Sequence, residues 1–182
     1  MKTFRQKGLN FEITVSKLLS SWINRELDDK DLHFWRTQGS GSVSTRLKDS
    51  KIDFFSGDIT PLTEYSKKYL TNILIECKNT ELDNNYLRNS FFPKQLDEYI
   101  DKLYSQVEEN NKKYGFLFLK RNRGKIWLII LTKDDKIGLD KISDNTSIIK
   151  ISSNSKNYQL FITDLNELID KVQFSQFFLN FI

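Results

Sequence analysis

Apolar residues recur with a helical period near the start of the chain. Phe11, Val15, Leu18, Leu19, Trp22 and Ile23 fall at i, i+4, i+7, i+8, i+11 and i+12, one face of an amphipathic helix. The spacing predicts a helix over residues 7–26, stopped by the polar run Asp28-Asp29-Lys30-Asp31. His33-Phe34-Trp35-Arg36 reads as a short strand, and Gly-Ser-Gly-Ser-Val-Ser at 39–44 as a loop. Ile52-Asp53-Phe54-Phe55 then leads into Gly57-Asp58-Ile59-Thr60-Pro61. A proline belongs at a strand edge or turn, which places Asp58 near a strand end. Residues 71–78 (TNILIECK) are β-branched and apolar, then abruptly charged, the pattern of a central strand.

The second half repeats the alternation. Leu96, Tyr99, Ile100, Leu103 and Val107 keep helical spacing, so a helix is expected over 93–110 with Pro93 in its first turn. Strands at 114–120 and 125–132 are joined by Arg121-Asn122-Arg123-Gly124, which has the length and glycine of a hairpin. Weaker strands are expected near 147–152 and 158–162. Asp164 with Glu167 three residues on is a capping-box start for a last helix. Hairpins mixed with a helix crossover predict an α/β (α+β) class built on one central mixed sheet flanked by helices. No linker, repeat or composition break divides the chain. Residues 1–182 are therefore expected to form a single domain, with a core over about 5–132 and a C-terminal β/α extension over about 133–182.

Composition narrows the chemistry. The chain has 182 residues and a formal net charge of +4, too small an excess by itself to require a polyanionic partner. Cys77 is its only cysteine, so no intramolecular disulfide can form, and one histidine, His33, leaves no histidine-rich zinc site. Catalysis would have to rest on carboxylates and lysine, with or without a metal ion. The N-terminus lacks a signal-like apolar run and no apolar stretch has transmembrane length, so a soluble intracellular protein is expected.

Glu76 and Lys78 lie two apart on a predicted strand, so both face the same way as Leu74, while Ile73, Ile75 and Cys77 face the other. The same letters also fit a strand running into solvent and ending on a surface Glu–Lys pair. Asp58 lies eighteen residues earlier, and a neighbouring antiparallel strand would bring it beside Glu76. Two close carboxylates favour a hard divalent cation; a turn aspartate after glycine is the plainer reading. Glu12 flanks the buried stripe of the first helix, within reach of the sheet edge or simply on the surface.

Lys7-Gly8-Leu9-Asn10-Phe11-Glu12, Gly57-Asp58 and Ile75-Glu76-Cys77-Lys78 together resemble, in order and context, the PD-(D/E)xK nuclease superfamily. The Gly-x-x-Phe-Glu opening, the Gly-Ser-Gly loop and the helix after Lys78 are similar to the archaeal and phage Holliday junction resolvases, which are small homodimers. The resemblance covers about residues 5–132 and implies a restriction-endonuclease-like fold and hydrolysis of DNA phosphodiesters with Mg²⁺ or Mn²⁺. It also assigns roles. Asp58, Glu76 and the Cys77 carbonyl would hold the metal, Lys78 would orient or deprotonate water, and Glu12 would complete the acidic cluster. Arg36, Ser40, Ser42, Arg46, Lys48, Gln95, Arg121 and Arg123 are the candidate DNA contacts.

The chain also departs from the pattern. Gly57 stands where the signature has proline, and the gap from Asp58 to Glu76 implies an ornamented loop around 63–69. Gln95 and Tyr99 spell the Gln-x-x-x-Tyr of the RecB-like and phage-exonuclease branch, though a packing role for Tyr99 would give the same letters. An exonuclease or restriction-type enzyme, or a non-catalytic DNA-binding or protein-interaction module on this fold, are the rival readings. Phe174, Phe177, Phe178 and Phe181, with Leu179 and Ile182, place an aromatic stripe at the chain end, which suggests a homodimer interface or packing on the chain's own sheet.

Overall fold

The computed structural model describes residues 4–37, 57–80, 94–121, 124–133, 137, 139, 146–153 and 158–182. Helix α1 (Phe4–Leu27) carries the predicted stripe, and Phe11, Val15, Leu19, Trp22 and Ile23 are all buried. It stops at Asp28, whose left-handed backbone (φ 51) lets its N–H close on the Asn24 carbonyl at 3.0 Å. Strands β1 (Phe34–Arg36) and β2 (Ile59–Pro61) form a short antiparallel ribbon.

Where an ornamented loop was expected around 63–69, the chain forms helix α2 (Glu64–Leu70). Local capping explains the correction. Thr63 accepts the Ser66 N–H, and the Ser66 hydroxyl accepts the Thr63 N–H in return, a reciprocal cap that satisfies two donors at the helix start. Tyr69 and Leu70 then bury themselves against the core.

The main sheet has five strands in the order β3-β4-β5-β7-β6: β3 (Ile73–Thr80), β4 (Tyr114–Arg121), β5 (Ile126–Thr132), β6 (Ile149–Ser153) and β7 (Tyr158–Asp164). β3 and β4 are parallel and connected through helix α3 (Lys94–Glu109), and the other pairs are antiparallel. This is the expected mixed sheet. Its two faces carry separate cores. One packs Leu74, Leu117, Leu119 and Ile129 beneath Leu96, Ile100 and Leu103 of α3. The other packs Ile73, Ile75, Phe116 and Phe118 against α1 and the chain end.

That chain end comprises α4 (Leu165–Lys171), α5 (Phe174–Phe178) and a 3₁₀ turn, Leu179–Phe181. Asp164 caps α4 by accepting the Asn166 N–H, without the reciprocal Glu167 arm. The aromatic stripe turns inward: Phe174, Phe177, Phe178 and Phe181 are at most 1% exposed. Phe174 and Phe177 meet Trp22 at 5.3 and 5.5 Å, and Phe181 meets Phe116 at 4.9 Å. The Trp22 indole N–H donates to the Val172 carbonyl at 2.8 Å, and Glu26 accepts the Ser175 N–H at 2.9 Å. Each buried Phe contributes roughly 1.5–3 kcal/mol. The chain covers its own stripe, so the stripe no longer argues for a second copy.

Candidate active site

Among the described strands, β3 lies at the edge of the main sheet, with β4 on one side. Its free side is closed locally by Asp58. The Asp58 N–H donates to the Ile75 carbonyl at 2.6 Å, and Asp58 Oδ2 accepts the Cys77 N–H at 2.8 Å. The Asp58 carbonyl meanwhile accepts the Thr37 N–H at 2.9 Å, continuing the β1–β2 register beyond Arg36 and Ile59. One residue thus bridges ribbon and sheet. The expectation of a neighbouring antiparallel strand is corrected in this detail: among the described residues β2 pairs with β1, and it is Asp58, just before β2, that hydrogen-bonds to β3.

Gly57 makes the bridge possible. Its φ is +92, a region that proline cannot enter and side chains rarely adopt. A Cβ there would lie 2.6 Å from the Ile75 carbonyl oxygen. The signature proline is therefore excluded by the way this chain passes β3.

Along β3, burial and the alternation of faces do the rest. Glu76 and Lys78 follow Leu74 on one face, and Cys77 follows Ile75 into the core beside α1. Asp58 and Glu76 are 7% and 6% exposed. Lys78 Nζ donates to Glu76 Oε2 at 2.6 Å and lies 3.9 Å from Asp58 Oδ2. Two buried carboxylates from distant points in the chain therefore share one ammonium.

The electrostatics record that imbalance. Burial, and then the Glu76 carboxylate, push the Asp58 carboxyl up to about 6, against the weaker opposing pull of Lys78 and the Cys77 N–H. Burial disfavours the charged Lys78, yet Glu76 and Asp58 outweigh it and hold the ammonium above the ordinary lysine value. Burial pushes the Cys77 thiol well up, so it stays protonated and unsuited to nucleophilic work.

Glu12 is close enough to add to the upward push on Asp58, but its carboxylate is engaged by Arg36, Nε to Oε2 at 3.1 Å. On α3 the Gln95 amide donates to the Tyr99 hydroxyl at 2.8 Å. Position 121 ends β4, opposite Thr80 in the register. Ser40, Ser42, Arg46, Lys48 and Arg123 lie outside the described residues. Two contacts of Asp58 were not legible in the sequence. The positive φ of Gly57 had only the glycine itself as a sign, and Thr37 had none.

Among the described residues no group of three or more His, Cys, Asp or Glu side chains is arranged to hold a metal ion. The donors that do converge are two carboxylates, hard oxygen ligands with more negative charge than Lys78 neutralises. That donor set suits a hard divalent cation.

A five-stranded mixed sheet flanked by helices is consistent with a restriction-endonuclease-like fold, and the acid–acid–lysine group lies at its edge strand. Residues 3–178 match the family described as phage putative PDDEXK endonuclease, and the chain belongs to that family. No curated protein and no solved structure matches it.

Proposed function

We propose that this chain is a divalent-metal-dependent DNA endonuclease whose reaction centre is the Asp58–Glu76–Lys78 group. One observation carries the reading: two buried carboxylates, brought together from separate elements, share a single lysine. Burying uncompensated charge is costly, and a second cation relieves it. Asp58 and Glu76 would hold Mg²⁺ or Mn²⁺, joined by the Cys77 carbonyl, which faces the side of β3 to which its own N–H points. When bound, such an ion supplies Lewis-acid charge to phosphate oxygens and acidity to water.

The chain's own groups then have distinct tasks. Lys78 is held protonated by its two neighbours. It is placed to orient water and to offset charge on the pentacovalent phosphate. Arg36, fixed by Glu12, keeps further N–H donors for a backbone phosphate. The Gly-Ser loop with Ser40, Ser42, Arg46 and Lys48, together with Gln95, Arg121 and Arg123, supplies the remaining backbone contacts in this reading. A preference for branched over linear duplex DNA rests on the resemblance to junction resolvases alone.

The test is cleavage of supercoiled plasmid, a synthetic four-way junction and a matched linear duplex, with Mg²⁺ and with EDTA. Cleavage is expected with Mg²⁺, none with EDTA, and none from E76Q. EDTA-resistant cleavage, or wild-type turnover by E76Q, would overturn the metal site. Equal rates on junction and duplex would overturn only the substrate preference.

A further inference from the structure

Thr37 stands directly opposite Asp58 where the β1–β2 ribbon ends, its N–H donating to the Asp58 carbonyl at 2.9 Å. Directly opposed residues of an antiparallel pair carry their side chains on one face, with Cβ atoms about 5 Å apart. Thr37 is 2% exposed, and among the described residues its Oγ1 has no hydrogen-bond partner. Across from it, Asp58 Oδ2 is occupied by the Cys77 N–H, whereas Oδ1 accepts no hydrogen bond from any described residue. A buried hydroxyl is rarely left without a partner, and the facing carboxylate has an oxygen to spare. A single water between them would give each group one ordinary hydrogen bond of about 2.8 Å.

We infer that Thr37 is a positioning residue: through a trapped water its hydroxyl sets the angle at which Asp58 presents its free oxygen to a divalent cation. The inference rests on the reading that Asp58 and Glu76 hold that cation. Asp58 is then held from two sides: by Ile75 and Cys77 toward β3, and by Thr37 toward the ribbon. A carboxylate pinned at only one oxygen can still rotate its other oxygen away, and the Thr37 hydroxyl removes that freedom.

Replacing the hydroxyl by a methyl in T37V preserves shape, and T37S preserves the hydroxyl without the methyl. Mn²⁺ affinity of the full chain is measured by calorimetry without DNA, beside thermal unfolding in EDTA, for wild type, T37V, T37S and D58N. T37V is expected to weaken Mn²⁺ binding about tenfold with unchanged or higher Tm, T37S to bind as wild type, and D58N to lose binding. If T37V binds Mn²⁺ as wild type does while D58N does not, the Thr37 role is overturned and the metal site stands. If T37V and T37S weaken binding equally and both lower Tm, Thr37 merely packs, and the inference fails. If wild type binds no Mn²⁺, the inference and the reading beneath it both fall.

Discussion

The carboxylate of Asp58 accepts the N–H of Cys77 at 2.8 Å, in a position where a sheet would place the carbonyl of another strand. With the Asp58 N–H on the Ile75 carbonyl, a single residue satisfies both exposed backbone groups at this point of the β3 edge. The contact protects the edge and delivers an acid to Glu76 and Lys78. Structural and chemical roles therefore coincide in one side chain, and substitutions here have effects that can be separated.

Gly57→Ala tests the approach to β3. The added Cβ meets the Ile75 carbonyl oxygen at 2.6 Å, in a backbone conformation disfavoured for alanine. The atoms it meets are all Ile75 backbone, with no flexible tip to yield, so a loss of about 1–3 kcal/mol is expected from the strained conformation alone. Urea unfolding measures it. Cleavage should fall further than stability, because Asp58 moves with the glycine.

Asp58→Asn tests the charge imbalance through pH. The folded carboxyl titrates near 6, above the 3.8 of an unperturbed aspartate. Between those values the folded chain keeps a proton that the unfolded chain has lost. Wild-type stability from this group is complete below pH 4 and declines as pH rises through 6. Asparagine still offers Cys77 an oxygen but never ionises. In EDTA, D58N should exceed wild type by on the order of 2 kcal/mol above pH 7 and match it below pH 4. Thermal melts across that range check the sign, and equal curves at pH 8 would remove the electrostatic argument. Cleavage by D58N should be lost throughout.

Lys78→Ala separates catalysis from anchoring. Removal of an aligned cation at the reacting phosphate should slow cleavage by about 10²-fold or more. DNA affinity, measured with Ca²⁺ in place of Mg²⁺, should change little, because the phosphate contacts assigned to the loops remain. A parallel loss in rate and affinity would make Lys78 a phosphate anchor.

Phe177→Ala and Leu179→Ser separate the two faces of the chain end. Phe177 is fully buried, whereas Leu179 is 63% exposed. F177A should cost about 3–5 kcal/mol through the cavity it leaves, and L179S should change Tm by little. Light scattering at micromolar concentration measures the oligomeric state, and any homodimer must use a surface other than the buried phenylalanines.

Periodicity in the sequence carried α1, β3, α3 and the β4–β5 hairpin close to their observed bounds, because burial of one face dictates spacing. It also put Glu76 and Lys78 on one face. Helix α2 was missed because its cap depends on two hydroxyls, Thr63 and Ser66, whose reciprocal bonds leave no apolar stripe over seven residues. The direction of the Phe174–Phe181 stripe was likewise invisible: an apolar face must be covered, but the pattern does not say by what.

What the sequence determined alone is the inventory, namely two carboxylates and a lysine in an order and on elements that suit phosphodiester chemistry, and the apolar faces that must be covered. Only the tertiary structure decided how these meet. Asp58 reaches Glu76 because Gly57 adopts a positive φ and two hydrogen bonds hold Asp58 to the edge of β3. Thr37 enters because the ribbon register sets it against Asp58. Such contacts join residues far apart in sequence, and no local period encodes them. Their geometry comes from the packing of whole elements, which brings the edge of β3, the ribbon and α1 to one place.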